Sequence, residues 1–405
     1  MYREVVIIFG CFNYSGVPRH MANLSNALIN SGYNVSIVVT EEIIQPTPPL
    51  NPKVNVFFLP DYVKTNKEKQ IKFLRRRQLN IKRKKRLQYF TKYFSKINYK
   101  LSRAVRGLRL SEDLSLFFAG HNHSIVICAG IRYLYEAYYA TQKLDCKLVY
   151  AEMISPQWKY KNDAEGLEQA RFLISKTEAA IYQTYDILSF YGEHLCKTEC
   201  VIRNPIKELP QPYYGQRNHQ IVNFCRINGQ KDNQKNLMLT VKAFNRLVQD
   251  YPQYTLCLYG YVADVCQKKE DDFKYQIQAL GLDHNIELFP PDVDVHAKIL
   301  KSAMFVSSSD FEGLSNSMLE AMALGLPCVC TDCLGGGARE MIQNGENGLL
   351  VPMRDEEALY LAMKKMIEDP ELADKCGKNA AKIREKLSQE KIIQQWINTI
   401  QLVRG

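Results

Sequence analysis

Glu312 and Glu320 stand eight residues apart in Asp310-Phe311-Glu312-Gly313-Leu314-Ser315-Asn316-Ser317-Met318-Leu319-Glu320. An apolar run ending in Ser307-Ser308-Ser309 precedes this segment, and Met318, Leu319 and Met322 open a helix face after it. Ser315 or Asn316 can cap that helix, whose free N–H groups suit a phosphate. Glu312 then lies in a loop at a strand's carboxyl end and Glu320 about one turn into the helix. Two carboxylates flanking an anion site can hold sugar hydroxyls; either acid by itself reads as an ordinary surface residue. The second cluster is Cys225-Arg226-Ile227-Asn228-Gly229-Gln230-Lys231-Asp232-Asn233-Gln234-Lys235-Asn236. Arg226 and Lys235 bring two cations to a sheet edge, which suits a diphosphate, and the arginine offers a fork to its oxygens. Lys231 competes with Lys235 for this role. Lys235 is preferred because Lys235-Asn236-Leu237 leads directly into the helix face Leu237, Val241, Phe244 and Val248.

Other patterns carry less. Asp292-Val293-Asp294, after Phe289-Pro290-Pro291, spells a metal–nucleotide motif of a different fold; its reading as a helix-entry turn rests on the family resemblance given below. Gly335-Gly336-Gly337 lacks the Gly-Lys-Ser/Thr of a P-loop. The first strand lacks Gly-x-Gly-x-x-Gly, so Glu41 and Glu42 at the end of the second strand are weak evidence for a dinucleotide. The 12 cysteines are scattered, and the one tight group, Cys328, Cys330 and Cys333, begins in an apolar strand where small thiols pack well. Reduced thiols in a cytosol are the simplest reading, and no metal site is expected.

The elements that must position these clusters form two α/β halves. Val5–Phe9 reads as a buried strand; Asn13–Val17 is a loop, and Met21, Leu24 and Leu28 mark a helix face ended at Gly32. Val35–Val39 is the next strand, making a strand–loop–helix–strand unit of a doubly wound sheet. Ile125–Cys128 and Leu148–Tyr150 are later strands, with a helix over Tyr133–Lys143. Ile202–Ile206 is a break, placing one domain at residues 1–204 and the next at 205–387. Strands in the second half are Ile221–Cys225, Leu256–Tyr259, Met304–Ser307, Cys328–Cys330 and Gly348–Val351. A last helix near Lys391–Val403, within 388–405, is expected to cross back to the first domain.

Composition bounds these readings. A chain of 405 residues, 46% hydrophobic and 24% charged, is long enough for two cores and too apolar for wholesale disorder. No run approaches the ~20 apolar residues of a spanning helix, and the short apolar start reads as a strand rather than a signal peptide. The net charge of +10 is uneven: Lys64–Arg109 carries 18 Lys+Arg and one Glu, a net +17, and the rest of the chain sums to −7. Phe73, Tyr89, Phe90, Tyr93, Phe94 and Tyr99 are interleaved with that charge, and apolar residues recur every three to four positions. The segment suits an anionic membrane surface, at about 1 kcal/mol per basic residue. A solvated helical excursion is the plainer reading, and no nucleic-acid signature accompanies the charge, so none is expected as a partner.

Residues 205–355 resemble the retaining glycosyltransferases of family 4, which have the two-domain GT-B fold. The resemblance rests on Arg226, on Lys235-Asn236, on the glutamates eight apart in Glu-Gly-Leu-Ser-Asn, and on Leu319–Pro327 after them. Gly335–Glu340, Asn344–Pro352 and the linker Ile202-Arg203-Asn204-Pro205 add to it. It implies an α/β fold of two doubly wound Rossmann-like domains facing across a cleft. It also implies transfer of a sugar from a nucleotide diphosphate with retained configuration, without an essential metal or other cofactor. The expected donor is a UDP-hexose or UDP-N-acetylhexosamine, and the expected acceptor a glycan or lipid-linked glycan of a cell-surface polysaccharide. By resemblance Glu312 holds the donor sugar, Glu320 the ribose, and Arg226 with Lys235 the diphosphate. The resemblance also implies that Gly16, Gly313, Leu314, Ser315, Asn316 and Ser317 line the donor. Ser15-Gly16 stands where the family usually has Gly-Gly. The first-domain histidine of many relatives is missing after Cys128-Ala129-Gly130, leaving Glu152 as the candidate sugar contact. The enzyme would be cytoplasmic and peripheral to the membrane. An epimerase-like enzyme on nucleotide sugars and a non-catalytic partner subunit of the same fold are the competing readings.

Overall fold

The computed structural model describes residues 2–13, 16–45, 47–66, 110–227, 234–261, 267–292 and 294–405, with the backbone alone at 261 and 267–272. Most of the basic stretch, and Lys231 with it, lies outside the described residues.

The central strands are apolar on both faces, as a parallel sheet covered on both sides requires. In β1 (Glu4–Phe12), Val5, Ile7 and Phe9 face one apolar cluster, while Val6 and Ile8 face another. β2 (Asn34–Ile43), β3 (Asn55–Phe58), β4 (Ser124–Ala129), β5 (Lys147–Glu152), β6 (Ala179–Tyr182) and β7 (Thr198–Val201) complete the sheet. Its order is β3-β2-β1-β4-β5-β6-β7, with parallel pairing throughout. The second sheet contains β8 (Gln220–Ile227), β9 (Thr255–Tyr261), β10 (Ile286–Phe289), β11 (Met304–Ser307), β12 (Cys328–Asp332) and β13 (Leu349–Pro352). It is ordered β10-β9-β8-β11-β12-β13, again parallel. In each sheet the strand order reverses at its first strand, between β1 and β4 and between β8 and β11. That is where an open α/β sheet leaves a crevice at its carboxyl edge. The expected pair of doubly wound sheets is therefore the architecture observed. The expectation missed β3, β6, β7 and β10, each four residues long and without a neighbouring motif to mark it.

Two crossings tie the halves together. After β7 the chain runs through Ile202–Ile206, where Ile206 N–H donates to Leu387 O at 2.8 Å and Ile206 bridges Ser388 in parallel. The helix Gln389–Arg404 then returns and buries Ile392, Trp396, Ile400 and Val403. The Trp396 ring lies 5.7 Å from that of His20, and Lys147 Nζ donates to Val403 O at 2.7 Å, so the helix ends on the first sheet's layer. One apolar cluster runs from Val5 and Ile7 through Trp396 to Leu319 and Phe305. Among the described residues no helix is long and apolar enough to cross a membrane.

Candidate active site

The loop after β11 is shaped by what packs beneath it. Glu312 N–H donates to Leu334 O at 3.0 Å, and Leu334 N–H to Asp310 O at 3.2 Å. Gly335, at φ +97°, brings its Cα so close that a Cβ there would lie 1.8 Å from Glu312 O. Asp310 is buried and receives Arg354 Nη2 at 2.6 Å and Asn236 Nδ2 at 2.9 Å. Residues 310–313 are therefore clamped from both sides before any ligand arrives. Ser315 caps the helix Asn316–Ala323, its hydroxyl accepting from Met318 N–H, as one of the two expected capping positions.

Within this frame Glu312 meets Lys235. The helix Leu237–Asp250 starts after Asn236, which holds φ +42°, and this turn aims Lys235 at the loop. Lys235 Nζ lies 2.5 Å from Glu312 Oε1, Ser309 Oγ donates to the same oxygen at 2.8 Å, and Gln234 Nε2 donates to Oε2 at 3.2 Å. Burial works against the charge on Lys235, but Glu312 outweighs it and holds the ammonium above the usual lysine range. Arg226 is exposed at the end of β8, and its positive charge bears on Lys235. The neighbouring Cys225 thiol is pushed up to about 11 by burial, which keeps it protonated and packed rather than nucleophilic.

Glu320 anchors the other end. Its carboxylate is 7% exposed and has partners from three parts of the chain. Arg19 Nη2 of the first-domain helix Gly16–Asn30 reaches Oε1 at 2.9 Å. His296 Nε2 lies 2.7 Å and Lys207 Nζ 3.8 Å from Oε2. Burial alone would raise this carboxyl, but the His296 hydrogen bond and the Arg19 and Lys207 charges hold it below the usual range.

The cleft between the sheets is closed around these groups. A Cβ on Gly16 would lie 3.0 Å from Asn316 Nδ2, so the N-terminal ends of helices 16–30 and 316–323 meet there. Asn204 of the linker donates to Leu314 O at 3.1 Å and to Asn316 Oδ1 at 2.9 Å. Gln183 donates to Asn204 Oδ1 at 2.7 Å and accepts from Leu314 N–H at 3.0 Å; it also packs on Gly313. Trp158 stacks on Phe311 at 4.6 Å. Glu340 accepts from Tyr185 N–H at 2.5 Å and from Arg203 at 2.8 Å, capping a first-domain helix from the second domain.

The structure thus brings Lys235 onto Glu312 and Gly16 against Asn316, with Arg226 exposed at the end of β8 and Gly313, Leu314, Ser315, Ser317 and Glu320 on the same loop and helix. Glu152 is the correction. Both its carboxylate oxygens are taken inside the first domain, Oε2 by Tyr150 at 2.5 Å and Tyr191 at 2.7 Å, and Oε1 by Met153 N–H at 3.1 Å. On β5 it shares Tyr150's face, the one turned into the core, because residues two apart in a strand point the same way. Asp292 accepts from Asp294 N–H at 2.8 Å, the turn before helix Val295–Ile299. Burial pushes the Cys328, Cys330 and Cys333 thiols up, as packed apolar sulfurs. Sequence reading missed Arg19, Lys207, Gln183 and His296. A basic residue one turn into the helix that opens at Gly16 was the signal for Arg19; nothing local marked the others.

Residues 227–383 match the family described as Glycosyl transferases group 1. A curated relative from Campylobacter jejuni is 34% identical over 158 residues, 39% of this chain and 40% of that protein. It is named an N-acetylgalactosamine-N,N'-diacetylbacillosaminyl-diphospho-undecaprenol 4-alpha-N-acetylgalactosaminyltransferase. The poly(glycerol-phosphate) alpha-glucosyltransferase of Bacillus subtilis is 30% identical over 162 residues, 40% of this chain and 23% of that protein. The chain thus covers less than half the length of these curated relatives. Solved structures agree over nearly the whole chain. A mutant of S. aureus TarM with UDP superposes at a TM-score of 0.72 and 14% identity, covering 98% of this chain and 99% of that one. Anabaena HepE with UDP and glucose gives 0.67 at 15% identity, covering 99% and 100%. The fold is that of the GT-B proteins: two Rossmann-like domains facing across a cleft.

Proposed function

We propose that the chain is a retaining glycosyltransferase that moves a sugar from a nucleotide diphosphate to a glycan or lipid-linked acceptor. The observation that carries this is the crevice pairing Lys235 with Glu312 at 2.5 Å, beside a helix N-terminus and a second buried carboxylate, Glu320. Lys235, Arg226 and the N–H groups at Asn316–Ser317 meet the negative charge that grows on a departing diphosphate. Glu312, held by Ser309 and Gln234 as well as Lys235, is oriented to accept from a donor-sugar hydroxyl. In the transfer the acceptor oxygen bonds to the anomeric carbon on the face the diphosphate leaves. The bond from that carbon to the phosphate oxygen breaks, and the acceptor proton passes to the departing oxygen. No protein nucleophile is needed, which fits the protonated Cys225. A UDP-hexose or UDP-N-acetylhexosamine is the proposed donor, supported by the UDP named in the TarM and HepE structures. Lipid-linked acceptors are supported by the diphospho-undecaprenol in the Campylobacter relative's name. The basic stretch 64–109 would then place a cytoplasmic enzyme on an anionic membrane.

Incubation with a panel of sugar nucleotides, following slow hydrolysis, tests the reading. Release of one nucleoside diphosphate and an α-anomer from an α-linked donor is the expected result. Turnover to an epimerised sugar nucleotide, or no turnover and no binding across the panel, would replace it with the epimerase or the non-catalytic subunit.

A further inference from the structure

Glu320 is buried and already holds partners on both oxygens, which leaves little room for a ribose. Oε2 belongs to His296 at 2.7 Å and Lys207 at 3.8 Å, and Oε1 to Arg19 at 2.9 Å. The carboxylate has acceptor sites to spare, but its side chain is only 9% exposed, so a diol finds room beside it when a partner moves aside. His296 is 6% exposed and sits on the same domain as Glu320, packed edge-on against Phe224. Arg19 comes from the opposite domain, and its side chain is 22% exposed. It is the partner that can leave.

A guanidinium turned away from Glu320 needs another anion, because a half-buried charge stripped of its partner is costly. Its surroundings suit a bound anion. Gly16, one turn before Arg19, abuts Asn316, so two helix N-terminal ends converge beside it. Resting on the proposed donor site, we infer that Arg19 is an exchangeable donor-binding residue. It holds Glu320 while the crevice is empty, yields Oε1 to the ribose, and swings its fork onto the diphosphate. The first domain would thereby sense the nucleotide, and closure would be tied to a phosphorylated ligand.

Two ligands separate this from a fixed positioning role. UDP and uridine are titrated calorimetrically into wild type, Arg19→Gln and Arg19→Lys, with GDP and guanosine as a second pair. Thermal unfolding checks that each variant is folded. Arg19→Gln should weaken the diphosphate by about tenfold or more, the size of a lost charge-assisted contact. It should leave the nucleoside unchanged or tighter, since Oε1 is then free. Arg19→Lys should recover part of the diphosphate affinity, as a point charge without the fork. Equal weakening of nucleoside and diphosphate would mean that Arg19 only positions Glu320 and would overturn the exchange, as would no change in either. Wild type that binds neither diphosphate would instead remove the donor site on which the exchange depends.

Discussion

At the scale of single residues, the crevice is a set of charges that neutralise one another until a ligand intervenes. Lys235→Ala or Arg226→Ala should lower turnover by orders of magnitude, because in the proposed reaction each removes a cation that meets the leaving diphosphate. Lys231→Ala should be mild; a dead Lys231→Ala beside an active Lys235→Ala would reassign the clamp. Glu320 gives a prediction that needs no substrate. Its folded pKa is below its ordinary value of 4.5, so folding favours the ionised form. Its stabilising contribution is therefore complete above that value and is lost as pH falls through the lower, folded pKa. Wild type and Glu320→Gln should differ in melting temperature at pH 6 and converge in stronger acid; a gap that widens with acid would contradict the sign. Asp292, turned onto Asp294 N–H and Lys298, has its oxygens committed to a helix entry. Asp292→Asn with Asp294→Asn should leave turnover near wild type, and turnover should survive EDTA.

At the scale of elements, the loop carrying Glu312 depends on a turn that contributes no functional group. Gly335 combines φ +97° with a Cβ position 1.8 Å from Glu312 O. Gly335→Ala meets backbone, which cannot swing aside, and adds the roughly 1–3 kcal/mol of a strained left-handed residue. It should lower stability by at least that much and cost more in turnover than in donor affinity, as Glu312 is displaced; wild-type melting and turnover would refute the coupling. Legibility follows the same physics. The loop-to-helix junction at 310–320 could be read because its cap, its apolar face and its acid spacing are all local. β3, β6, β7 and β10 could not: four residues show too little period by themselves, and no motif flanks them as the motifs beside the equally short β11 and β13 do. Glu152 misled because its position after a strand is where site acids occur. Only the packed structure reveals that Tyr150 and Tyr191 draw it inward. Arg19 and His296 reach Glu320 from 301 and 24 residues away, distances over which no sequence pattern operates.

At the scale of the molecule, closure and charge are arranged unevenly about the crevice. Asn204, Glu340 and the returning helix close the halves on one another, and Trp396, 1% exposed, is the largest side chain in that return. Trp396→Ala should cost about 3–5 kcal/mol, read as loss of cooperative unfolding between the halves. The charge points elsewhere. A net +17 over residues 64–109, against −7 for all the rest, is far more concentrated than solubility requires. The segment begins in the last turn of the helix Leu59–Thr65 and ends just before residue 110, within the first half, where we propose that the acceptor binds. A lipid-linked acceptor would be presented there by a membrane. Attraction to anionic lipid is screened as the Debye length falls from about 10 Å at 0.1 M salt to about 3 Å at 1 M. Vesicles containing phosphatidylglycerol should therefore co-sediment the protein at low salt and release it at high salt. Changing Arg75, Arg76, Arg77, Lys82, Arg83, Lys84, Lys85 and Arg86 to Gln should abolish binding while donor hydrolysis in solution persists. The eight positions lie apart from the crevice residues in sequence, so the two readouts separate surface from site. Equal co-sedimentation of this variant and wild type would remove the membrane from the proposal and leave the charge to a solvated face or a protein partner.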